Sequence, residues 1–377
     1  MRVGLVCSLG SPWARDVALR LRSAGAEVEA IDFEVPDVEG YYLSVADPWQ
    51  ADALDRFRRA VPTHVLSSRL RGQVRYVTTA LALGRLATAR RYDALLALYG
   101  GGRALQLRLS GARPYGVYLM GSDVLRIEGI RRSAARWSLQ GAGLVLANGE
   151  HLAAAARRLV GDQFVRALCL GVDLDRFVPR EARSSGPVRL ICTRGFNEVY
   201  NNIAIIEALA ALPVDGPPWV CTFTSGGPLL PAAQARAAAL MGLHAGRVQF
   251  WGGVTDDVLR GALREADVYV TMSRSDGTSI SLLEAIACGI YPVVSDIPAN
   301  TEWIAPASAI GTVVAVDDQT ALTTALCAAI IDGTRRDAAQ PVLRAMARLR
   351  ADAEKSARLL CDGLIEMVTR PGGRNAA

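Results

Sequence analysis

Asp276 and Glu284 stand eight positions apart, on either side of Gly277-Thr278-Ser279-Ile280-Ser281-Leu282-Leu283. The passage from a polar loop into an apolar run predicts a helix that starts at Thr278 or Ser279, either of which can cap it. Gly289 ends that helix, and a Pro292-Val293-Val294 strand follows. The first-turn N–H groups of such a helix have no intrahelical partner and its dipole favours negative charge, which suits a diphosphate. Glu284 lies one to two turns in, where a carboxylate can accept from a pair of sugar hydroxyls. Together the two acids frame a ligand that carries both phosphate and hydroxyl groups.

Composition excludes several other chemistries. Lys355 is the only lysine, so a Walker A phosphate loop is absent and a lysine Schiff base is not expected. His64, His151 and His244 are the only histidines, which leaves little for a His-based metal site or charge relay. The seven cysteines are scattered without a C-x-x-C pair, as expected of reduced, buried thiols rather than a disulfide frame or zinc site. No apolar stretch reaches the ~18 residues of a membrane span. The first residues run directly into a buried-strand pattern without the charged, apolar and cleavage regions of a signal peptide, so a cytoplasmic protein is expected.

Net charge is +5 but unevenly spread: twelve arginines and one acid, Asp93, lie between Arg56 and Arg113. One reading is a solvated basic face. The other is peripheral docking on the anionic inner face of a membrane. No recognised DNA- or RNA-binding motif accompanies the charge, so no nucleic-acid partner is expected.

At 377 residues the chain exceeds one ordinary core and fits two domains of ~150–200 residues. Apolar runs at 3–8, 27–33, 64–67, 94–98, 115–119 and 144–147 alternate with helical patterns, such as 15–24. After a Pro/Ser/Gly linker the alternation resumes, with runs at 188–193, 220–224, 248–250, 268–271 and 292–295 and a helix at 203–211. Alternation of this kind predicts an α/β fold of two doubly wound, Rossmann-like domains with parallel sheets, whose ligands sit outside the carboxyl ends of the strands, in a cleft between the domains. The expected division is 1–178, a linker at 179–187, a nucleotide domain at 188–345, and a C-terminal helix and flexible tail at 346–377. A continuous helix is read at 337–369.

The segment from Asp276 to Glu284 resembles the E-x7-E signature of retaining GT-B glycosyltransferases of the family 4 kind, with Asp in first place. Other segments match in the same order: Asn148-Gly149-Glu150, then Gly171-Val172-Asp173-Leu174-Asp175-Arg176-Phe177 before the linker, then Thr193-Arg194, then Phe250-Trp251-Gly252-Gly253-Val254. The resemblance extends from about residue 1 to the final helix, which it implies crosses back to the N-terminal domain, and its specific motifs fall within 171–304. It implies that Arg194 holds the donor diphosphate, and that Asp276 with Gly277, Thr278, Ser279, Ile280 and Ser281 contacts the transferred sugar and diphosphate. It likewise implies that Glu284 binds the ribose and Val254 lies against the base.

The chain departs from the family in places. Relatives usually carry a lysine shortly after the arginine, but 194–201 has none, leaving Tyr200 or Asn201 to donate hydrogen bonds there. Met120 stands where many relatives have histidine, and Asp123 nearby is open to a sugar contact or to a turn role. His151 lies too far along to be the direct counterpart. Asp173-Leu174-Asp175 has the form of the metal-nucleotide signature of another glycosyltransferase fold, but its place before a linker makes it structural. Gly10, Ser11 and Trp13 fall in the first strand-to-helix turn, on the acceptor side in this fold; Trp13 is open to stacking on a sugar or to plain packing.

The expectation is a retaining hexosyltransferase that needs no metal or cofactor. Its donor is a nucleoside-diphosphate sugar, UDP-sugar before GDP-sugar, and its acceptor is a glycan, lipid-linked sugar or small molecule. A nucleotide-sugar epimerase or hydrolase of the same fold and a degenerate, binding-only homologue are the alternatives.

Overall fold

The computed structural model describes residues 1–33, 48–68, 74–161, 165–181, 186–305 and 308–370. Short apolar runs bounded by glycine or polar residues become strands, and every strand pairs in parallel with its neighbours. Parallel strands need crossovers, and the intervening segments supply them as helices. The chain divides into two units: Met1–Leu170 with the chain from Ala353, and Gly171–Asp352.

Unit 1 runs β1 (Arg2–Val6), α1 (Pro12–Ser23), β2 (Glu27–Phe33), α2 (Pro48–Ala60), β3 (Thr63–Leu66), α3 (Val74–Arg90), β4 (Ala94–Leu98) and α4 (Gly102–Ser110). It continues through β5 (Tyr115–Leu119), the short α5 (Ser122–Leu125), α6 (Gly129–Gln140), β6 (Leu144–Ala147), α7 (Glu150–Val160) and β7 (Val165–Ala167). Its sheet has the order β3-β2-β1-β4-β5-β6-β7, so the winding reverses between β1 and β4. One core lies under α1 and α2, with Val3, Leu5, Leu21 and Phe57 buried. The other lies under α3, α4, α6 and α7, with Leu83, Leu107, Leu139 and Leu152 buried.

Unit 2 runs β8 (Val188–Cys192), α8 (Asn202–Ala210), β9 (Trp219–Phe223), α9 (Leu230–Leu240), β10 (Val248–Phe250), α10 (Asp256–Glu265) and β11 (Val268–Thr271). Then come α11 (Ile280–Ala287), β12 (Tyr291–Ser295), the short α12 (Pro298–Thr301), β13 (Thr312–Val314), α13 (Gln319–Ile331) and α14 (Gly333–Arg350). The sheet order β10-β9-β8-β11-β12-β13 reverses between β8 and β11.

The helix read at 337–369 is two helices. Residues 351–352 separate α14 from α15 (Ala353–Thr369), because there the chain pairs with the segment entering unit 2: Val172 N donates to Ala351 O at 2.8 Å. Arg344 of α14 donates to the carbonyls of Leu174 and Phe177, both at 2.6 Å, so 171–178 pack with unit 2 rather than with the N-terminal domain to which the sequence assigned them. In the same stretch Asp173 Oδ1 accepts from the backbone N–H groups of Asp175 and Arg176, a local turn that accounts for the D-x-D pattern. α15 returns to unit 1, where Leu360, Cys361, Leu364 and Met367 join the core under α1. Part of the expected linker, 182–185, and most of the expected tail, from 371, lie outside the described residues, as do Arg69 and Arg71.

Candidate donor site and the loops of the first unit

Open parallel sheets bind ligands beyond the carboxyl ends of the strands where the winding reverses. In unit 2 that point lies between β8 and β11, and the loops leaving these two strands carry Arg194 and Asp276. Arg194 Nη2 is 2.6 Å from Asp276 Oδ2, and Nη1 lies 3.3 Å from both Ser279 Oγ and Ser281 Oγ. The guanidinium sits 4.0 Å from the centre of the Tyr200 ring. Burial disfavours the arginine's charge, but Asp276, together with Tyr200, Tyr269 and Cys192, outweighs it and raises the pKa, so the group stays cationic. Arg194 Nε is buried without a hydrogen-bond partner.

Ser279 caps α11 by accepting from Leu282 N, as one of the two expected caps. Its hydroxyl also lies 3.0 Å from that of Ser281, which is itself 3.0 Å from the Tyr269 hydroxyl. Tyr269 is buried, and that burial pushes its pKa up to about 12 although Arg194 opposes the rise. Gly289, at φ 67°, closes the helix in the left-handed conformation that favours glycine. Gly277 and Thr278 are buried, whereas Ile280, Ser281 and Glu284 are half-buried.

Several residues that the sequence reading passed over hold this constellation. Buried Asn202, at the start of α8, donates to the carbonyls of Arg194 and Gly195 at 3.0 and 3.1 Å. Ser225 donates to Thr193 O at 3.0 Å, and Phe196 N donates to Gly226 O at 2.9 Å. Gly227, at φ 144°, packs so tightly on Phe196 that a Cβ would lie 2.6 Å from its carbonyl oxygen. On the Asp276 side, Ser295 donates to Ser273 O at 2.6 Å and Arg274 N to Val199 O at 2.8 Å. Both loops are therefore pinned to neighbouring elements before any ligand arrives.

Tyr200, one of the two residues expected to donate in place of a lysine, presents its ring to Arg194. Asn201 adopts a left-handed conformation, φ 51°, and joins a short 3-10 turn to α8. Val254 lies half-buried in the loop after β10, just before Thr255 caps α10. A cavity of about 240 Å³ opens among Phe196, Asn197, Asn201, Leu229 and Arg274. Among the described residues, no three His, Cys, Asp or Glu side chains gather as a metal site would need.

The corresponding reversal in unit 1 lies between the loops after β1 and β4. Ser11 is fully buried at the head of α1, its hydroxyl without a partner, and Gly10 and Trp13 are half-buried. Trp13 meets Tyr99, ring centres 6.2 Å apart. Tyr99 holds a positive φ of 89°, costly for a side chain of this size. The three glycines after Tyr99 were the sequence signal for this loop. Of the two roles open to Asp123 the structure shows the turn role: it is buried and accepts from the backbone N–H groups of Gly100, Met120 and Gly121, at 2.6, 3.1 and 2.7 Å. It is a positioning residue for two loops of unit 1. Asp32, also unforeseen, accepts from Leu9 N at 2.8 Å and pairs with Arg103 at 3.3 Å.

Two parallel, doubly wound units in tandem are the architecture of the GT-B fold. Comparison with known proteins agrees. Residues 188–332 match the family model described as "Glycosyl transferases group 1". A GDP-mannose:cellobiosyl-diphosphopolyprenol alpha-mannosyltransferase of Xanthomonas campestris is 28% identical over 155 residues, 41% of this chain and 40% of that protein. The chain thus matches about two-fifths of the length of that curated relative. Anabaena Alr3699/HepE, solved with UDP, superposes with a TM-score of 0.78 at 15% identity, over 97% of this chain and 100% of that one. A glycosyltransferase from Rickettsia africae gives a TM-score of 0.77 at 14% identity, over 98% and 99% of the two chains. The chain has the GT-B fold, and a segment of unit 2, residues 188–332, is similar to the group 1 glycosyl transferases.

Proposed function

We propose that this chain is a retaining hexosyltransferase that takes a hexose from a nucleoside-diphosphate sugar and passes it to an acceptor hydroxyl. The observation that supports this most is the Arg194 fork, held charged by Asp276 at the amino end of α11 across the sheet reversal. A diphosphate there meets a planar multi-donor cation and the positive amino end of the α11 dipole, with no protein lysine required. As the sugar C1–O bond to phosphate breaks, both groups would stabilise the charge that develops on the leaving diphosphate. The acceptor oxygen then bonds to C1, and its proton goes to a phosphate oxygen on the same face. Such a reaction needs no protein nucleophile and no metal ion.

Glu284, just over one turn into α11, would accept from the ribose hydroxyls, and Val254 would contact the base. UDP-sugar was the first expectation for the donor. The Xanthomonas relative, whose name specifies GDP-mannose, raises GDP-mannose beside it. That relative's other substrate is a diphosphopolyprenol-linked disaccharide, which supports a lipid-linked or glycan acceptor here.

Thermal stabilisation by UDP, GDP, ADP, dTDP and CMP tests the donor side directly, because a ligand that binds only the folded state raises its stability by mass action. One nucleoside diphosphate should shift the midpoint by several degrees while the others do not. No shift with any of them would sink the transferase reading in favour of a chain that has lost its donor site. Proton NMR of the product formed with the matching donor then reads the anomeric configuration, and inversion would refute the retaining assignment.

A further inference from the structure

Unit 1 carries a face of unusual chemistry. α3, α4 and α6 cover the same side of its sheet, and between them they hold eight arginines and no acid. Arg90 pairs with Glu29 and Arg103 with Asp32. Among the described residues, no carboxylate pairs with Arg75, Arg85, Arg108, Arg131, Arg132 or Arg136.

Charge alone would describe a solvated surface, but the same helices expose large apolar side chains. Val74, Val77 and Leu81 follow one another at helical spacing on α3, exposed at 56%, 50% and 55%. Ile130 of α6 is 83% exposed and Trp137 is 42% exposed, with the Arg108 guanidinium 4.9 Å from the centre of its ring. A groove of about 560 Å³ opens between Leu81, Gly84 and Arg85 of α3 and residues 110–112. Apolar residues that would enter the acyl boundary, among cations that would meet phosphate headgroups, are the two components of an interfacial helix surface. A duplex nucleic acid would use the arginines and leave the apolar residues in water.

We infer that the α3–α4–α6 face docks on an anionic lipid surface. Ile130, Trp137, Leu81 and Val77 insert at the headgroup boundary, while Arg85, Arg131, Arg132 and Arg136 lie against lipid phosphates. This surface is independent of which sugar is transferred. It lies within unit 1, whereas the Arg194–Asp276 pair lies within unit 2, so either assignment can fail without the other.

Co-sedimentation of the full chain with vesicles tests the docking. Binding is expected to vesicles of equal parts phosphatidylcholine and phosphatidylglycerol, and not to phosphatidylcholine alone, and should weaken as salt is raised. Each neutralised arginine should cost roughly fivefold in partitioning, so R131Q with R132Q should lose about twenty-fivefold. Trp137→Ser should lose roughly tenfold through the apolar term. All three changes are at exposed positions, so the melting temperature and the nucleoside-diphosphate shift should stay at their native values, which separates lost docking from lost folding. Failure to sediment with the anionic vesicles would overturn the inference, as would sedimentation that these variants leave unchanged. Salt-sensitive binding to duplex DNA without vesicle binding would overturn it in favour of a nucleic-acid surface.

Discussion

At the residue scale the proposed function turns on one guanidinium. Asp276 now holds Arg194 Nη2, where an incoming diphosphate would also bind. Arg194→Lys keeps the charge but loses the fork and the stacking geometry over Tyr200, so nucleoside-diphosphate affinity should fall by roughly 1.5–3 kcal/mol, or ten- to a hundredfold. Affinity for the bare nucleoside should change little, and isothermal titration with both ligands measures the difference; equal losses would refute a phosphate role. The two acids stood out because their spacing follows a loop-to-helix passage that sequence reveals, whereas Arg194 was singled out only by the family resemblance. Asn202 was not, because its value lies in reaching the carbonyls of Arg194 and Gly195, and only the folded loop brings these to it. Asn202→Ala should therefore loosen the loop and reduce diphosphate affinity severalfold, without touching the ligand. Faster amide exchange at residues 194–197 is the readout that distinguishes this from a direct contact.

At the element scale, buried carboxylates in unit 1 join loops and strands that lie far apart in the chain. Asp123 joins the loop after β4 to the turn after β5, and its burial raises its pKa while backbone N–H groups, those of Gly100, Gly121 and Met120 foremost, oppose that rise. Asp123→Ala would strand those N–H groups and should cost about 3 kcal/mol in urea unfolding, given ~1–3 kcal/mol for each buried group left unpaired. Glu29 of β2 behaves oppositely. Burial pushes its pKa up, but hydrogen bonds from Tyr92 and His64, at 2.7 and 2.8 Å, prevail and hold it below the usual range. A depressed folded-state pKa contributes stability above the unfolded value of about 4.3, and that contribution disappears as the pH falls through the folded one. Glu29→Gln should therefore lower stability at neutral pH and flatten its decline below about pH 4; a parallel acid limb in both proteins would contradict the assignment. Strands with sustained apolar runs were legible to within a residue or two, as at 94–98 and 144–147. β7 and β13, the three-residue edge strands Val165-Arg166-Ala167 and Thr312-Val313-Val314, were missed, although the equally short edge strand β10 was read.

At the scale of the whole molecule, the chain leaves unit 1 at residue 170 and returns at 353, so unit 1 is completed by its last helix. The break between α14 and α15 was hidden in the sequence because both flanks have good helical periodicity; it exists because residues 351–352 answer the backbone of Val172. α15 buries Leu360, Cys361, Leu364 and Met367 against the core beneath α1, and its Glu366 pairs with Arg166 at 2.6 Å. The exposed ion pair adds little, whereas the buried apolar side chains are worth ~1.5–3 kcal/mol each for the larger ones. Ending the chain after Asp352 should therefore remove on the order of 5 kcal/mol or more from unit 1, a large part of an ordinary domain's stability. Every residue proposed for the donor site lies between 171 and 352, and the helix makes its core contacts in unit 1. Hydrogen exchange on the truncated chain should show protection collapsing in β1, β2 and β4 while the strands from β8 to β12 keep theirs. The nucleoside-diphosphate shift of unit 2 should persist. Loss of protection spread evenly over both units would mean that α15 stabilises the whole chain, and that the donor unit cannot hold its site without it.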